Sequence, residues 1–387
     1  SMKRIITCLS LALLAANAFS MEGYYRSPGL HGDMVVFTAE SDLWLHRISD
    51  GTTERLTTHI AYETQASFSP NGESIAFTSN YEGAWEVYVI PVSGGIPKRV
   101  TYENSQVRVQ RWTAEGKVLY TTNSRAGARW NMTLKTVDPD TLNAEILPLA
   151  DAMDGAMGSS MLYFTRFGLN WFSDNVNVYR GGMHGSLWRF RTGSGEEAVQ
   201  LATDHEGSVR RPMLQDDRLY FISDESGRNN LWSVNLDGGD IRQETEHDDL
   251  GIRGASIQAG RAIYQLGPNL VLMDLATGKS SRLEIEISSD HPGLRENWVT
   301  DPGKYITSAK LSGDGEKVTI TARGRIAVAG TNQERLVSIG TPVENRMRNA
   351  ALSRDGDWVY SISDAAGELE LWKYSASGSD ESERLTR

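Results

Sequence analysis

The sequence has one cysteine, Cys8, in 387 residues. A disulfide needs a second thiol and a zinc–thiolate centre needs several, so both are excluded. Basic charge is in deficit, with 39 Lys+Arg against 50 Asp+Glu and a net charge of −11. That balance argues against a phosphate backbone as ligand, and nucleic acid is not an expected partner. After the first twenty residues no run approaches the ~20 apolar residues of a bilayer-crossing helix, so no stable membrane span is expected. The seven histidines are scattered and form no His-Glu-x-x-His pattern, and no Gly-x-Ser-x-Gly elbow occurs. Zinc and serine hydrolysis therefore have no recognisable motif here, and no metal or other cofactor is expected.

The N-terminal twenty residues have a different logic from the rest. Lys3-Arg4 precedes an apolar run from Ile5 to Ala16, and Ala16-Asn17-Ala18 and Ala18-Phe19-Ser20 are small-residue cleavage sites. Residues 1–20 read as a secretory signal peptide, which predicts a periplasmic or secreted protein. Cys8 lies inside this leader and follows Ile5-Ile6-Thr7, which is not the context of a lipoprotein signal.

Helical periodicity is nearly absent beyond the leader. Short apolar runs such as Met34-Val35-Val36-Phe37, Ile75-Ala76-Phe77 and Leu219-Tyr220-Phe221-Ile222 are instead bounded by Gly, Asp, Asn and Ser, the pattern of strands and turns. These runs recur. Leu43-Trp44 is followed 44 residues later by Val87-Tyr88, Leu56-Thr57 by Val100-Thr101 at the same interval, and Leu187-Trp188 by Leu231-Trp232. Each unit closes on Arg-Leu-Thr or a relative of it, as in Arg99-Val100-Thr101. A four-stranded unit of this length is a propeller blade, which buries its faces only against neighbouring blades. The recurring aromatics are accordingly expected in the blade-to-blade core.

The predicted fold is all-β: a six-bladed β-propeller over residues 28–287, a linker over 288–302, and about two blades of a second, truncated propeller over 303–387. The linker holds Asp290-His291-Pro292-Gly293 and Asp301-Pro302-Gly303, where Pro and Gly interrupt the repeat. Two blades cannot close a ring without leaving sheet edges open. The other arrangement the repeat allows is one eight-bladed ring.

The turn–strand–turn signature resembles the blades shared by TolB-type and tricorn-type propellers. Two stretches favour the tricorn type. Pro28 through His31-Gly32-Asp33, Val35-Val36-Phe37 and Asp42-Leu43-Trp44 is similar to the first blade of the tricorn amino-terminal propeller, and Tyr179-Arg180-Gly181-Gly182 with Gly185 and Leu187-Trp188, in the fourth unit, resembles a Tyr-Arg-Gly-Gly element of that same propeller. The resemblance implies the peptide-handling region of a serine protease that trims oligopeptides, with PDZ and peptidase domains downstream and no catalytic domain in this chain. A homo-oligomer is compatible with it. It also implies an arginine pair that anchors a peptide's C-terminal carboxylate. The corresponding stretch reads Val107-Arg108-Val109-Gln110-Arg111-Trp112, in which the arginines are not adjacent. The alternatives are a TolB-like protein-binding propeller with no hydrolase attached and the propeller of a prolyl-oligopeptidase-type enzyme.

The candidate substrate contacts are thus Arg108, Arg111 and Arg180. A guanidinium matches a carboxylate bidentately, so Arg180 suits either a peptide terminus or an internal aspartate. Gly181-Gly182 suits positive φ or the close approach of another segment. His31 is expected to be structural, and His184, beside the glycine pair, has no clear assignment. Asp224, Asp216-Asp217 and Asp355 are expected to cap backbone amides in turns.

Overall fold

The computed structural model describes residues 24–124, 131–168, 176–289, 291, 298–332, 335–340, 345–379 and 381–387. The leader and the linker residues 290 and 292–297 lie outside them. Eight four-stranded antiparallel sheets, each built from four consecutive strands, span 26–55, 63–99, 107–146, 154–200, 209–243, 252–282, 306–338 and 347–384. Here they are blades 1 to 8. Asp301-Pro302-Gly303 leads into a 3-10 turn, Pro302–Tyr305.

In the first six blades the second strand is sandwiched between two neighbours, which is why it reads as an apolar run rather than an alternating one. In blade 1, Val35, Val36 and Phe37 are all fully buried, on both faces of the sheet. Val36 packs with Leu43 and Leu45 against Phe68, Phe77 and Tyr88 of blade 2. Val35, Phe37 and Trp44 pack on the opposite side against Ile263, Leu270 and Ile285 of blade 6 and the segment after it. Similar clusters join blades 2 to 3, 3 to 4, 4 to 5 and 5 to 6. The first six blades therefore close on themselves, and a single eight-bladed ring is excluded.

Because every sheet is continuous in sequence, no strand is exchanged among the described residues to close the ring. The blade 6 to blade 1 seam has a few hydrogen bonds, such as Tyr25 Oη to the Ile285 carbonyl at 2.9 Å and the Leu30 amide to Ser256 Oγ at 3.3 Å. A net hydrogen bond is worth about 1 kcal/mol, while full burial of one large apolar side chain is worth about 1.5–3 kcal/mol. Closure is thus chiefly hydrophobic.

The Arg-x-Thr ending of the repeat is a staple between the third and fourth strands. In blade 2, Thr101 Oγ1 accepts the Val87 amide at 2.8 Å and donates to Glu86 Oε2 at 2.6 Å, while Arg99 Nη2 reaches Glu86 Oε1 at 2.9 Å. Glu370, Arg384 and Thr386 repeat this in blade 8; in blade 1 Thr57 Oγ1 accepts the Leu43 amide and Arg55 pairs with Asp42, but the Thr57 hydroxyl donates to Glu63 instead. Blade 5 keeps the threonine but uses Asn230 in place of the acid.

Blades 7 and 8 form a second compact unit, divided from the first at Gly293/Leu294. Its core joins Ile326 and Val328 of blade 7 to Met347, Val359 and Tyr374 of blade 8.

Candidate functional site

The first strand of each blade in the six-bladed ring lies innermost, where successive first strands pack on one another. In five of the six, the ladder to the second strand slips by one residue. The slips fall between Arg26 and Gly29, Thr64 and Ser67, Val109 and Arg111, Arg210 and Met213, and Ile252 and Ala255. A bulge re-aims a side chain that would otherwise alternate between blade faces. At three of these positions the bulged residue has positive φ without being glycine: Ser27 at 51°, Gln65 at 55° and Arg211 at 52°. Such backbone is uncommon for L-residues and persists where packing over-determines it.

The bulges bound two cavities, of about 320 and 400 Å³, lined chiefly by first-strand residues of blades 1, 2, 3, 5 and 6 and by residues beside them. Ser27, Gln65 and Arg211 line both, and so form a common waist. On one side lie Arg111, Trp112, His31 and Gln258. On the other lie Arg26, Arg108 and Arg253, with Tyr24, Tyr62 and Trp85.

Five arginines and no aspartate or glutamate line this passage among the described residues, in a chain whose net charge is −11. Arg111 is half-buried, and desolvation pushes its guanidinium down to about 10, so it keeps its charge at neutral pH. Its Nε has no hydrogen-bond partner among the described residues, and the same holds for Arg26 Nε. Arg26 instead lies over the rings of Tyr62 and Tyr24, at 4.9 and 5.4 Å from their centroids. Cation–π contact offsets part of a guanidinium's lost hydration but supplies no countercharge. A half-buried guanidinium without a paired anion keeps part of its desolvation cost, so these cavities are chemically suited to an incoming carboxylate.

Residues 22–279 match the family of the tricorn protease N-terminal beta propeller domain. The chain belongs to this family. Tricorn protease homolog 1 of Streptomyces coelicolor is 30% identical over 356 residues, covering 90% of this chain and 33% of that protein. The tricorn protease homolog of Saccharolobus solfataricus is 27% identical over 350 residues, covering 88% and 32%. The chain thus spans about a third of the length of these curated relatives. A crystal structure of the tricorn protease superposes with a TM-score of 0.76 at 22% identity, over 94% of this chain and 35% of that one, a likeness of fold.

Within this tricorn-type propeller, the sequence candidates separate. Arg108 and Arg111 lie on opposite sides of the waist. Arg180 lines neither cavity: its Nη1 pairs with Asp224 Oδ1 at 3.0 Å and its Nη2 reaches the Asp224 carbonyl at 3.3 Å. The Asp224 carboxylate also accepts the amides of Val178 and Ser208, at 2.6 and 2.8 Å. Of the two partners the sequence allowed Arg180, this is the internal aspartate. Gly181 and Gly182 take no positive φ. The demand at Gly181 is for space, since an added Cβ would stand 2.3 Å from Tyr179 Oη. His184 Nε2 lies 2.8 Å from the Glu206 carbonyl oxygen. His31 faces the first cavity, 3.2 Å from Gln258 Nε2.

One serine–histidine pair has catalytic reach but not catalytic surroundings. Ser223 Oγ lies 2.7 Å from His205 Nε2, yet Ser223 is fully buried. Desolvation pushes the His205 imidazole down to about 4, a weak base at neutral pH. The Gly207 backbone also crowds the serine so closely that a Cβ there would meet its Oγ at 2.1 Å. The pair ties blade 5 together.

Arg26, Arg211 and Arg253 were not singled out by their sequence. Their signal was legible in retrospect: each sits where the first strand of a unit begins, beside Ser27-Pro28, Pro212 or Gly254. A charge in an apolar inner strand, next to a residue that breaks the ladder, marks a bulge facing the axis.

Proposed function

We propose that this chain is the peptide-handling propeller region of an exported tricorn-like serine protease. Oligopeptides pass or dock along the arginine-lined passage, and peptide-bond hydrolysis belongs to peptidase segments outside this chain. The observation that carries the reading is the passage itself, with five guanidinium groups and no carboxylate among its described lining residues. A peptide's C-terminal carboxylate is the group such a lining accepts, through bidentate charge-assisted hydrogen bonds. Arg108 and Arg111 are the proposed contacts. Export rests on the charge and apolar pattern of residues 1–20.

The test is calorimetric titration of the full chain with a short peptide as free acid and as C-terminal amide. The free acid should bind about tenfold more tightly, and Arg111→Gln should remove that difference while leaving the amide's affinity unchanged. Equal affinity for acid and amide would overturn the assignment. So would hydrolysis by the chain that survives repurification and is lost on a point substitution.

A further inference from the structure

The waist carries a charge with no partner among the described residues. Arg211 sits at φ 52° on the bulge of blade 5, between buried Arg210 and Pro212. Its backbone amide donates to Asp154 Oδ2 at 3.1 Å, across the seam to blade 4. That bond occupies one oxygen of Asp154, which is itself buried. The Arg211 guanidinium makes no hydrogen bond or ion pair among the described residues, although Arg210 beside it donates to the Ile252 carbonyl at 3.0 Å. The backbone conformation and the following proline thus point one arginine of the pair into the blade seam and the other toward the axis.

Arg211 shares the waist with Ser27 and Gln65, which are short or neutral. Ser27 Oγ is bound to Thr64 Oγ1 at 3.0 Å. Among the described residues Arg211 is then the one charged group at the waist, with Arg111 on one side and Arg26, Arg108 and Arg253 on the other. A group moving along the axis meets positive charge before, at and after the constriction. A single anchor for a C-terminal carboxylate needs only one such place. Charge at three successive levels acts on the side chains that follow the terminus as well.

We infer that the passage is charge-selective along its length, taking peptides that carry aspartate or glutamate side chains and disfavouring those that carry lysine or arginine, with Arg211 as the specificity-determining residue at the waist. The inference rests on the proposed peptide-handling role and extends it from the terminal carboxylate to the substrate's side chains. In a low-dielectric passage, like charges repel more strongly than on an open surface, so exclusion of basic peptides contributes as much as attraction of acidic ones.

The experiment uses the full chain and three N-acetylated pentapeptides with free C-termini: Ala-Asp-Ala-Asp-Ala, Ala-Asn-Ala-Asn-Ala and Ala-Lys-Ala-Lys-Ala. Affinities are measured by calorimetry at low and high salt. At low salt the acidic peptide should bind about tenfold more tightly than the neutral one, and the basic peptide more weakly still. At about 1 M salt, where the Debye length falls to about 3 Å, the spread should narrow to about threefold. Arg211→Gln should bring the acidic peptide to within about threefold of the neutral one without weakening the neutral peptide, and Arg211→Lys should restore most of the preference. If Arg211→Gln proves unstable, Arg253→Gln at the exposed lip is the second variant, with a smaller shift in the same direction. Equal binding of all three peptides would overturn charge selection while leaving the peptide-handling role standing. Binding of none of them would overturn both.

Discussion

The backbone amide of Arg211 donates to a carboxylate oxygen of Asp154, 3.1 Å away on the neighbouring blade. This bond links the ring's packing to the geometry of its passage, because it holds the bulge that places the waist arginine. Asp154→Ala should leave that amide unsatisfied in a part-buried setting, at a cost of about 1 kcal/mol. Acidic-peptide affinity should fall several-fold with it. Asp154→Asn, which keeps an acceptor oxygen, should retain both. Urea unfolding and calorimetry of the two variants check this, and equal behaviour of Ala and Asn would show that the bond does not set the bulge.

The Thr101 staple offers a local test of the repeat. Thr101→Val keeps the shape but deletes the oxygen that accepts the Val87 amide and donates to Glu86. Thr101 and Val87 are both buried, so an orphaned amide should cost about 1–3 kcal/mol. Thr101→Ser should recover most of that. A neutral Thr101→Val in denaturant unfolding would mean the staple is decorative.

Two buried groups should tilt stability with pH in opposite directions. Glu63 is fully buried, accepts the Leu43 amide at 2.9 Å and receives the hydroxyls of Thr57 and Tyr81. Burial, the largest influence, pushes its carboxyl from an ordinary 4.5 up to about 7. The folded state holds the proton more tightly than the unfolded one, so this contribution is full below pH 4.5 and is lost as pH rises through 7. His205 is pushed down from 6.5 to about 4, so its contribution is full above 6.5 and is lost as pH falls toward 4. Glu63→Gln should flatten the loss on the rising side and His205→Phe the loss on the falling side. Unfolding midpoints between about pH 4 and 8 measure both, and identical profiles for parent and variants would refute the assignment.

Blade strands, their turns and the 44-residue period were legible in the sequence because a propeller repeats one local problem. Second strands of the six-bladed ring are apolar on both faces, as Val35-Val36-Phe37 and Ile75-Ala76-Phe77 are, and a closing staple at Arg99-Val100-Thr101 recurs in blades 1, 5 and 8. The stretch Val107–Trp112 entered through family resemblance, and the structure put its two arginines on opposite sides of a waist that the sequence did not reveal.

Composition, the apolar pattern and the period by themselves determined an all-β propeller built of blades, since each depends only on residues near one another in the chain. Ring size, the pairing of Arg180 with Asp224 and the gathering of Arg26, Arg108, Arg111, Arg211 and Arg253 around one axis were decided only by tertiary structure. Asp224 lies 44 residues from Arg180, and the five arginines come from four different blades. No local pattern records which strands will face a common axis, because that direction is set by bulges whose side chains turn inward only once the neighbouring blades have filled the outer faces.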